Sequence, residues 1–304
     1  MNEEIISQIC IKHFSELPKS IDRCGVGIGN YVYIVECKST KYVIRCSEEI
    51  NAYYNTKFLL RKLSALDIPI PHVIANGKLL QYEYIVLTYI EGKDIGLVYQ
   101  NLSTSEKKKI AKEVVEIQNR VAELDIKNVD ENWNWESVVQ DILNRAKELI
   151  LKNGYFSVEK IERLQATMPD LAEYFANVKP IPYLDDISSK NLLINKGQIS
   201  GVIDIDWIGV GDRLTFVALT KMAFLDLGYD IDYITYLLEE MQICDMEKTV
   251  FDFYTLMFCV DFMGERGTTF LDRTVKVDEQ IVKRLNQIYD MLWNDFAKTF
   301  FSRE

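Results

Sequence analysis

The sequence predicts an α+β protein in which a small β-rich N-terminal part precedes a larger, mainly helical part. Three observations lead to this fold class. Runs of β-branched and aromatic residues dominate residues 22–89, and apolar residues adopt a helical spacing from Leu102 onward. One short apolar hairpin, over residues 192–205, then interrupts the helical part.

The chain has 304 residues, enough for one large domain or for two lobes that each have a core. No internal repeat, low-complexity tract or long linker interrupts it. We predict a division into residues 1–90 and residues 91–304, because the β-rich pattern closes at Glu91-Gly92.

The N-terminal strands are predicted from residue type. YVYIVEC, residues 31–37, and KYVIRC, residues 41–46, predict a hairpin because two β-branched and aromatic runs flank a three-residue turn. A helical pattern follows over residues 48–66 and ends before the two prolines of DIPIPHV, which force extended chain. YEYIVLTYI, residues 82–90, predicts a further strand.

The C-terminal part contains amphipathic stretches with recognisable ends. Ser103 and Glu106 have the spacing of a capping box. Apolar residues then recur at steps of three and four, at Ile110, Val114, Ile117, Val121 and Leu124. WESVVQDILNRAKELILKN predicts a second helix, which Gly154 ends. Further helices are predicted over residues 252–267 and 280–300.

Composition narrows the classes of function. The net charge of −11 argues against a nucleic-acid partner, because phosphate binding needs a basic surface. It suits a cationic small ligand, although solvated surface charge is the plainer explanation. Six cysteines without a CxxC pair are expected to be reduced thiols. Two histidines, His13 and His72, argue against a histidine-rich metal site or a Ser-His-Asp hydrolase.

The N-terminal stretch MNEEIISQIC is acidic and lacks the basic region that begins a signal peptide. No apolar run approaches the roughly eighteen residues that a membrane span needs. We therefore expect a cytoplasmic protein with no membrane partner. We also expect a monomer or a weak dimer.

Three glycines precede the first predicted hairpin, in CGVGIGNYVYIVEC. Gly25, Gly27 and Gly29 have no Cβ, so this loop could bring backbone N–H groups close to phosphate oxygens. The spacing is unlike a dinucleotide fingerprint, because the loop enters a hairpin instead of a helix. A hairpin loop without a ligand explains the glycines about as well.

Carboxylate and amide residues stand at the ends of two predicted strands in YLDDISSKNLLINKGQISGVIDIDWIGVGD. Asp186 could orient a hydroxyl group, and Asn191 could offer a carbonyl oxygen to Mg²⁺. The hairpin would return Asp204 beside Asn191 as a second metal ligand. Asp204 could instead cap a turn, but an unpaired carboxylate between buried isoleucines would be costly. Asp206 is predicted to cap the following turn.

This ordered set of features resembles the aminoglycoside phosphotransferase family of small-molecule kinases. The resemblance extends over about residues 22–267 and is most specific at LDDISSKN followed by GQISGVIDIDWIGVGD. These stretches are similar to the family's HGDxxxxN and to the strand-IDxxxxxxGD segment after it. The resemblance implies a bilobal protein-kinase-like fold, with a nucleotide-binding lobe over residues 1–90 and a catalytic and substrate lobe over residues 91–304.

The resemblance also implies a role for individual residues. Asp186 matches the catalytic-base aspartate, and Asn191 and Asp204 match the two Mg²⁺ ligands. Arg45, in YVIR, stands where a phosphate-binding lysine or arginine occurs, and the glycine-rich loop would hold the phosphates with it. The main chain of Thr88 and Ile90, in LTYIEG, matches the hinge that pairs with the purine. The implied cofactors are Mg²⁺ and either ATP or GTP as phosphoryl donor.

Three departures from the family pattern affect these assignments. Leu184-Asp185 replaces the usual His-Gly before the base, which adds a second carboxylate there. Arg45 instead of lysine keeps the charge but changes reach and geometry. The helix segment NAYYNTKFLL has no glutamate to pair with that cation, and the nearest glutamates lie one or two turns earlier. Without that ion pair, ATP use could be weak or GTP could be preferred.

The resemblance implies transfer of a γ-phosphoryl group to a hydroxyl of a small cationic molecule, most simply an aminoglycoside antibiotic. The candidate carboxylates for its ammonium groups are Asp185, Asp226, Asp230, Asp261 and Glu265. Choline-like amines, homoserine, macrolides and ketosugars are alternative acceptors. From another class, a catalytically weakened nucleotide-binding regulator remains open. A helical protein without a site would leave the strand-end carboxylates unpartnered.

Overall fold

The computed structural model describes residues 3–24, 30–125, 132–187, 189–270 and 273–301. The predicted phosphate loop of Gly25, Gly27 and Gly29 lies outside the described residues. The chain forms two compact units. The N-terminal unit comprises residues 1–93 and 192–207, and the C-terminal unit comprises residues 94–191 and 208–304. The predicted division into functional lobes at residue 90 stays a prediction, and the compact N-terminal unit also includes the later hairpin.

Strands and helices are numbered in chain order. The strands are β1 (Ser20–Arg23), β2 (Tyr31–Cys37), β3 (Thr40–Ser47), β4 (Val73–Leu79), β5 (Tyr82–Thr88), β6 (Lys93–Asp94), β7 (Pro182–Tyr183), β8 (Leu192–Asn195), β9 (Gln198–Val202), β10 (Gly209–Val210), β11 (Thr269–Phe270) and β12 (Arg273–Thr274). The helices are α1 (Glu3–Phe14), α2 (Tyr54–Leu63), α3 (Ile95–Val98), α4 (Thr104–Val121), α5 (Trp135–Asn153), α6 (Glu159–Asn177), α7 (Leu214–Leu227), α8 (Asp232–Met241), α9 (Asp245–Glu265) and α10 (Glu279–Phe300).

The N-terminal unit is built on a five-stranded antiparallel sheet in the order β1-β2-β3-β5-β4. The first predicted hairpin is confirmed, since Tyr31 pairs with Cys46 and Cys37 pairs with Thr40. Alternate strand residues point to the same face of the sheet, and one of these faces packs against α1. The buried core on that face includes Ile6, Ile9, Tyr33, Val35 and Ile44.

The helix predicted over residues 48–66 begins later than expected, at Tyr54. Ser47 Oγ accepts the Glu49 N–H at 3.2 Å. Asn51 has a left-handed φ of 60°, and its carbonyl accepts the Tyr54 N–H at 3.0 Å. These local bonds hold the backbone in turns, so the helical pattern is not realised until Tyr54.

The second predicted hairpin is also confirmed. Leu192 pairs with Val202 across β8 and β9, and Asn195 pairs with Gln198 at the turn. The Val202 N–H donates to the Pro69 carbonyl at 2.7 Å, which ties the hairpin to the rest of the N-terminal unit. This bond fixes the chain two residues before Asp204.

The C-terminal unit is mainly helical, with α9 packed against α5, α7 and α10. The predicted capping box at the start of α4 is confirmed, because Ser103 Oγ accepts the Glu106 N–H at 3.3 Å and Glu106 accepts the Ser103 N–H at 2.8 Å. Gly154 ends α5 with a left-handed φ of 73°, as predicted. The helix predicted from residue 252 begins earlier, at Asp245.

The predicted α+β class, with an antiparallel N-terminal sheet and a helical C-terminal part, is confirmed. The six cysteines are free thiols. None of the described helices combines the length and apolar character that crossing a membrane requires.

Candidate active site

The predicted site residues fall into two groups, each of which lies within one unit. Asp185, Asp186 and Asn191 belong to the C-terminal unit, where they follow β7. Arg45 and Asp204 belong to the N-terminal unit.

Asp186 and Asn191 are joined by hydrogen bonds. The Asn191 side-chain Nδ2 donates to Asp186 Oδ2 at 2.7 Å and to the Asp186 carbonyl at 3.0 Å. The Asp186 N–H donates to Asp185 Oδ1 at 3.0 Å. The D-x₄-N spacing therefore closes a turn that sets the direction of the Asp186 carboxylate.

Asn191 and Asp204 each offer the kind of oxygen that Mg²⁺ binds. Both hydrogen bonds of Asn191 use Nδ2, so its carbonyl oxygen Oδ1 is left as the acceptor that a hard cation prefers. Asp204 is exposed and supplies a carboxylate. Among the described residues, no three His, Cys, Asp or Glu side chains are grouped as a metal site. Mg²⁺ takes oxygens from protein, water and phosphate, and a shared role of Asn191 and Asp204 as its ligands stays a prediction.

Gln118 of α4 holds the main chain just before the two aspartates. Its Nε2 donates to the Leu184 carbonyl at 2.8 Å, and its Oε1 accepts the Leu184 N–H at 2.9 Å. Gln118 is 1% exposed, so these bonds form away from water. Gln118 was not predicted as a site residue, although its position on the apolar face of α4 marks it as a polar residue in a core position.

We expect Gln118→Leu to lower the free energy of unfolding by about 3 kcal/mol, because the N–H and carbonyl of Leu184 would be buried without partners. Denaturant unfolding measures the change. Gln280→Leu, at an exposed position of α10, is the matched control and should change stability by less than about 0.5 kcal/mol. Equal stability of Gln118→Leu and the wild type would contradict this prediction.

Asp185 has an unusual electrostatic environment. Burial, followed by the charge of Asp186, raises the pKa of Asp185 from 3.8 to about 6. The folded state therefore binds a proton at Asp185 more tightly than the unfolded chain does. This contribution to stability is complete below about pH 4 and is lost as the pH rises through about 6.

The variant Asp185→Asn should remove that pH dependence while keeping an acceptor for the Asp186 N–H. We expect its unfolding free energy to fall less steeply than that of the wild type between about pH 4 and 6. Urea unfolding at a series of pH values measures the slopes. Asp170→Asn, on the exposed side of α6, should keep the wild-type slope. Parallel slopes for Asp185→Asn and wild type would refute the assignment.

In the N-terminal unit, the buried guanidinium of Arg45 contacts two carboxylates. Nη1 donates to Asp206 Oδ1 at 3.0 Å, and Nη2 donates to Asp206 Oδ2. Nη2 also lies 3.1 Å from Asp204 Oδ1. Burial lowers the pKa of Arg45, but the charges of Asp206 and Asp204 outweigh it and raise the pKa above its ordinary value. Arg45 is therefore a fixed positive charge.

The structure corrects the role predicted for Asp206. It was expected to cap a turn, but it forms the two-nitrogen pair with Arg45 and also accepts the Thr56 hydroxyl at 2.6 Å. The pairing could not be seen in the sequence, because Arg45 and Asp206 are 161 positions apart.

Asp204 lies in strained backbone. Its φ of 60° is in the left-handed region, which costs a non-glycine residue roughly 1–2 kcal/mol. Such strain persists where surrounding contacts hold it, and it is concentrated at functional sites. Here the Val202–Pro69 bond precedes the residue and the contact with Arg45 engages its carboxylate.

Thr88, one of the two predicted hinge residues, already forms hydrogen bonds with the neighbouring main chain. The Thr88 N–H donates to the His72 carbonyl at 2.9 Å, and Thr88 Oγ1 accepts the His72 N–H at 2.8 Å. Ile90 packs over Gly201, where an added Cβ would lie 2.7 Å from Ile90 Cδ1. The Thr88 N–H is therefore already donated, and pairing of Thr88 and Ile90 with a purine stays a prediction.

The predicted acceptor carboxylates have different surroundings. Asp226 accepts from Arg266 at 2.7 Å and from Arg284 at 2.8 Å. Asp261 is buried and accepts two bonds from Arg145, at 2.8 and 3.0 Å. These two carboxylates hold helices together, which does not favour a role with an acceptor.

Asp230 and Glu265, the two further candidates, differ in exposure. Asp230 is exposed. Burial, then the charge of Asp261, raises the pKa of Glu265, and the positive charges of Arg145, Arg266 and Lys190 oppose this. Roles for Asp185, Asp230 and Glu265 with an acceptor stay predictions.

A buried network lies beside β10, the strand that pairs with β7. Asp212 accepts from the hydroxyl of Tyr174 at 2.8 Å, the hydroxyl of Tyr254 at 3.0 Å and the N–H of Leu214 at 2.9 Å. Trp135 Nε1 donates to the Tyr254 hydroxyl at 2.6 Å. Burial raises the pKa of Asp212, against the hydrogen bonds, which lower it. The network connects α5, α6 and α9 to Asp212, the second residue after β10.

Gly211 is required beside this network. Its φ is 136°, and a Cβ there would lie 2.2 Å from the Trp135 ring. The Gly211-Asp212 pair, which carried part of the resemblance, is therefore explained by the φ of Gly211, its packing on Trp135 and the hydrogen bonds of Asp212.

Comparison with known proteins agrees with the fold described above. A model of the phosphotransferase enzyme family matches residues 21–231. The structure is similar to the apo form of a thermostable mutant of aminoglycoside phosphotransferase APH(4)-Ia, with a TM-score of 0.68 and 15% identity, over 97% of this chain and 98% of that chain. No curated protein matches the chain.

Two further similarities involve other aminoglycoside phosphotransferases. ADP-bound APH(2'')-Ib gives a TM-score of 0.66 at 16% identity, covering 99% of both chains. The streptomycin-ATP ternary complex of APH(2'')-IIa gives 0.66 at 17% identity, covering 99% of this chain and 98% of that chain. These similarities confirm the predicted protein-kinase-like fold.

Proposed function

This chain belongs to the phosphotransferase enzyme family, and from that membership we propose that it transfers the γ-phosphoryl group of a nucleoside triphosphate to a hydroxyl of a small cationic molecule. The acceptor oxygen forms a bond to the γ-phosphorus as the bond to the leaving nucleoside diphosphate breaks. The hydroxyl proton passes to the Asp186 carboxylate.

The observation that carries this proposal is the hydrogen bond of 2.7 Å between Asn191 Nδ2 and Asp186 Oδ2. It fixes the direction of a carboxylate that can accept a proton, and it leaves an amide oxygen for a cation. A side chain positioned in this way meets the requirement of general-base catalysis, in which geometry comes before pKa.

Asn191 and Asp204 are proposed to hold Mg²⁺, which when bound with the nucleotide neutralises phosphate charge. Arg45 and the loop of Gly25, Gly27 and Gly29 are proposed to bind the donor phosphates. The hinge at Ile90 is proposed to pair with the purine. Catalysis by this arrangement consists of positioning and charge neutralisation.

ATP or GTP is the proposed donor. The neighbouring structures include complexes with ADP and with AMP-PNP, which supports an adenine nucleotide for those proteins. Arg45 instead of lysine gives no preference between the two purines, because its proposed partner is the phosphate and not the base. Initial rates with each nucleotide at equal concentration distinguish them.

An aminoglycoside is the proposed acceptor. Its ammonium groups match the excess of acidic residues in the chain, which has a net charge of −11. Neighbouring structures are complexes with streptomycin, gentamicin and hygromycin B, which supports this acceptor class. Choline-like amines, homoserine, macrolides and ketosugars are the alternatives within the same reaction type.

The test is nucleotide turnover with Mg²⁺ and either ATP or GTP across a panel of aminoglycosides, macrolides, choline and homoserine. Stimulation of phosphate transfer by one acceptor class supports the kinase and identifies its substrate. Nucleotide binding without transfer to any acceptor favours the regulator. Failure of the chain to bind either nucleotide overturns the proposal.

A further inference from the structure

Arg45 is buried in the N-terminal unit and needs a carboxylate partner. Its side chain is 7% exposed, and on β3 it is paired with Val32 of β2 and Ile85 of β5. A guanidinium in such apolar surroundings is costly unless it is paired and hydrogen-bonded. The helix segment NAYYNTKFLL supplies no glutamate for this purpose.

Asp206 supplies the pairing that the helix lacks. Its two carboxylate oxygens accept from the two terminal nitrogens of Arg45, which is the planar fork geometry that fixes a guanidinium most firmly. Asp204 contacts one of these nitrogens, at 3.1 Å, and its side chain is 52% exposed. Asp206 is therefore the anchor of Arg45, and Asp204 is a secondary contact.

Helix α2 reaches the same carboxylate through a hydroxyl. Thr56 is 1% exposed, and its Oγ1 donates to Asp206 Oδ1 at 2.6 Å. Tyr53 directly precedes α2, and Cζ of the Arg45 guanidinium lies over the Tyr53 ring, 5.6 Å from the ring centre. The helix thus influences Arg45 through Asp206 instead of through a carboxylate of its own.

We propose that Asp206 is the positioning residue that holds Arg45 for the donor phosphates, and that Thr56 couples it to α2. This inference rests on the proposed function. It gives the two aspartates of IDID, residues 203–206, different roles: Asp206 aligns the arginine, and Asp204 is the predicted metal ligand. The arrangement replaces a missing helix glutamate by a carboxylate from the segment after β9.

The test begins with binding of Mg²⁺–ADP by calorimetry, which needs neither an acceptor nor turnover. We expect Asp206→Ala to raise the Kd about tenfold, since a hydrogen bond to a charged group is lost from the side chain that contacts phosphate. Thr56→Val should raise it about threefold. The KM for the nucleotide should rise with the Kd, while the KM for an acceptor stays unchanged. Asp22→Asn, at an exposed position of β1, is the control and should bind like the wild type.

A second experiment tests whether a carboxylate placed on α2 restores the nucleotide binding that Asp206→Ala loses. Thr56→Glu combined with Asp206→Ala moves the carboxylate to the helix, into the volume that the aspartate leaves. We expect this double variant to bind Mg²⁺–ADP at least threefold more tightly than Asp206→Ala alone. Thermal unfolding of every variant shows whether the binding change accompanies intact folding.

Several results would overturn the inference. Unchanged or tighter binding by Asp206→Ala would mean that Asp206 merely offsets the charge of Arg45. A lower unfolding temperature with unchanged Kd in both Asp206→Ala and Thr56→Val would mean a purely structural role. A double variant that binds no better than Asp206→Ala would also count against it. By contrast, a wild-type chain that binds no Mg²⁺–nucleotide would overturn the proposed function itself.

Discussion

Asp186→Asn is expected to lower the rate of phosphoryl transfer by about 10³-fold, within the range that a positioned general base contributes. The asparagine can still accept the bond from Asn191 Nδ2, so the turn keeps its shape while the proton acceptor is lost. The loss should therefore appear in kcat and not in the KM for the nucleotide. Steady-state kinetics with the best acceptor of the panel measures both constants.

Two comparisons make the result interpretable. Asp170→Asn removes an exposed carboxylate from α6 in the same unit and should leave kcat unchanged. Mg²⁺–ADP binding by Asp186→Asn should match that of the wild type, which separates a lost base from a lost fold. If Asp186→Asn retains more than about a tenth of the wild-type kcat, Asp186 is not the base, because the expected contribution is at least 10²-fold.

Asp212→Ala is expected to lower the free energy of unfolding by about 4 kcal/mol. Two tyrosine hydroxyls and one backbone N–H would lose their acceptor in the interior, and each unsatisfied group costs roughly 1–3 kcal/mol. Asp212→Asn keeps an acceptor oxygen and should lose about 1 kcal/mol. Denaturant unfolding of the wild type, Asp212→Asn and Asp212→Ala, monitored by circular dichroism, measures their free energies of unfolding.

Asp170→Asn is again the control for removal of one aspartate charge and should unfold like the wild type. A loss below about 1 kcal/mol for Asp212→Ala would show that water or rearranged tyrosines replace the carboxylate. The network would then not be the support that connects α5, α6 and α9.

Local features of the fold could be predicted because their causes lie within a few residues. The capping box of Ser103 and Glu106, the left-handed Gly154 and the hairpins at residues 31–46 and 192–202 each depend on side chains close in sequence. The start of α2 was predicted too early. Polar turn contacts at Ser47 and Asn51 outweighed the helical pattern there.

Part of the candidate site could be predicted for the same reason. Asp186 and Asn191 are five residues apart, and their motif, together with the features around it, carried the resemblance that predicted a joint role. Gln118 and Leu184 are 66 positions apart, and nothing in the spacing of α4 indicates which main chain Gln118 holds. Asp226 and Asp261 were predicted as acceptor carboxylates because acidic residues suit a cationic acceptor, but arginines elsewhere in the sequence engage them.

By itself, the sequence determined the fold class, the main hairpins and helix caps, and the residue types of a phosphoryl-transfer motif. Periodicity and short-range hydrogen bonding carry that information along the chain. Tertiary structure alone decided that Asp206 anchors Arg45, that Thr56 joins them and that Gln118 holds the main chain before Asp186. The reason is physical: the partner of a buried charge or amide is whichever group packing brings within hydrogen-bond distance, and packing depends on the whole fold.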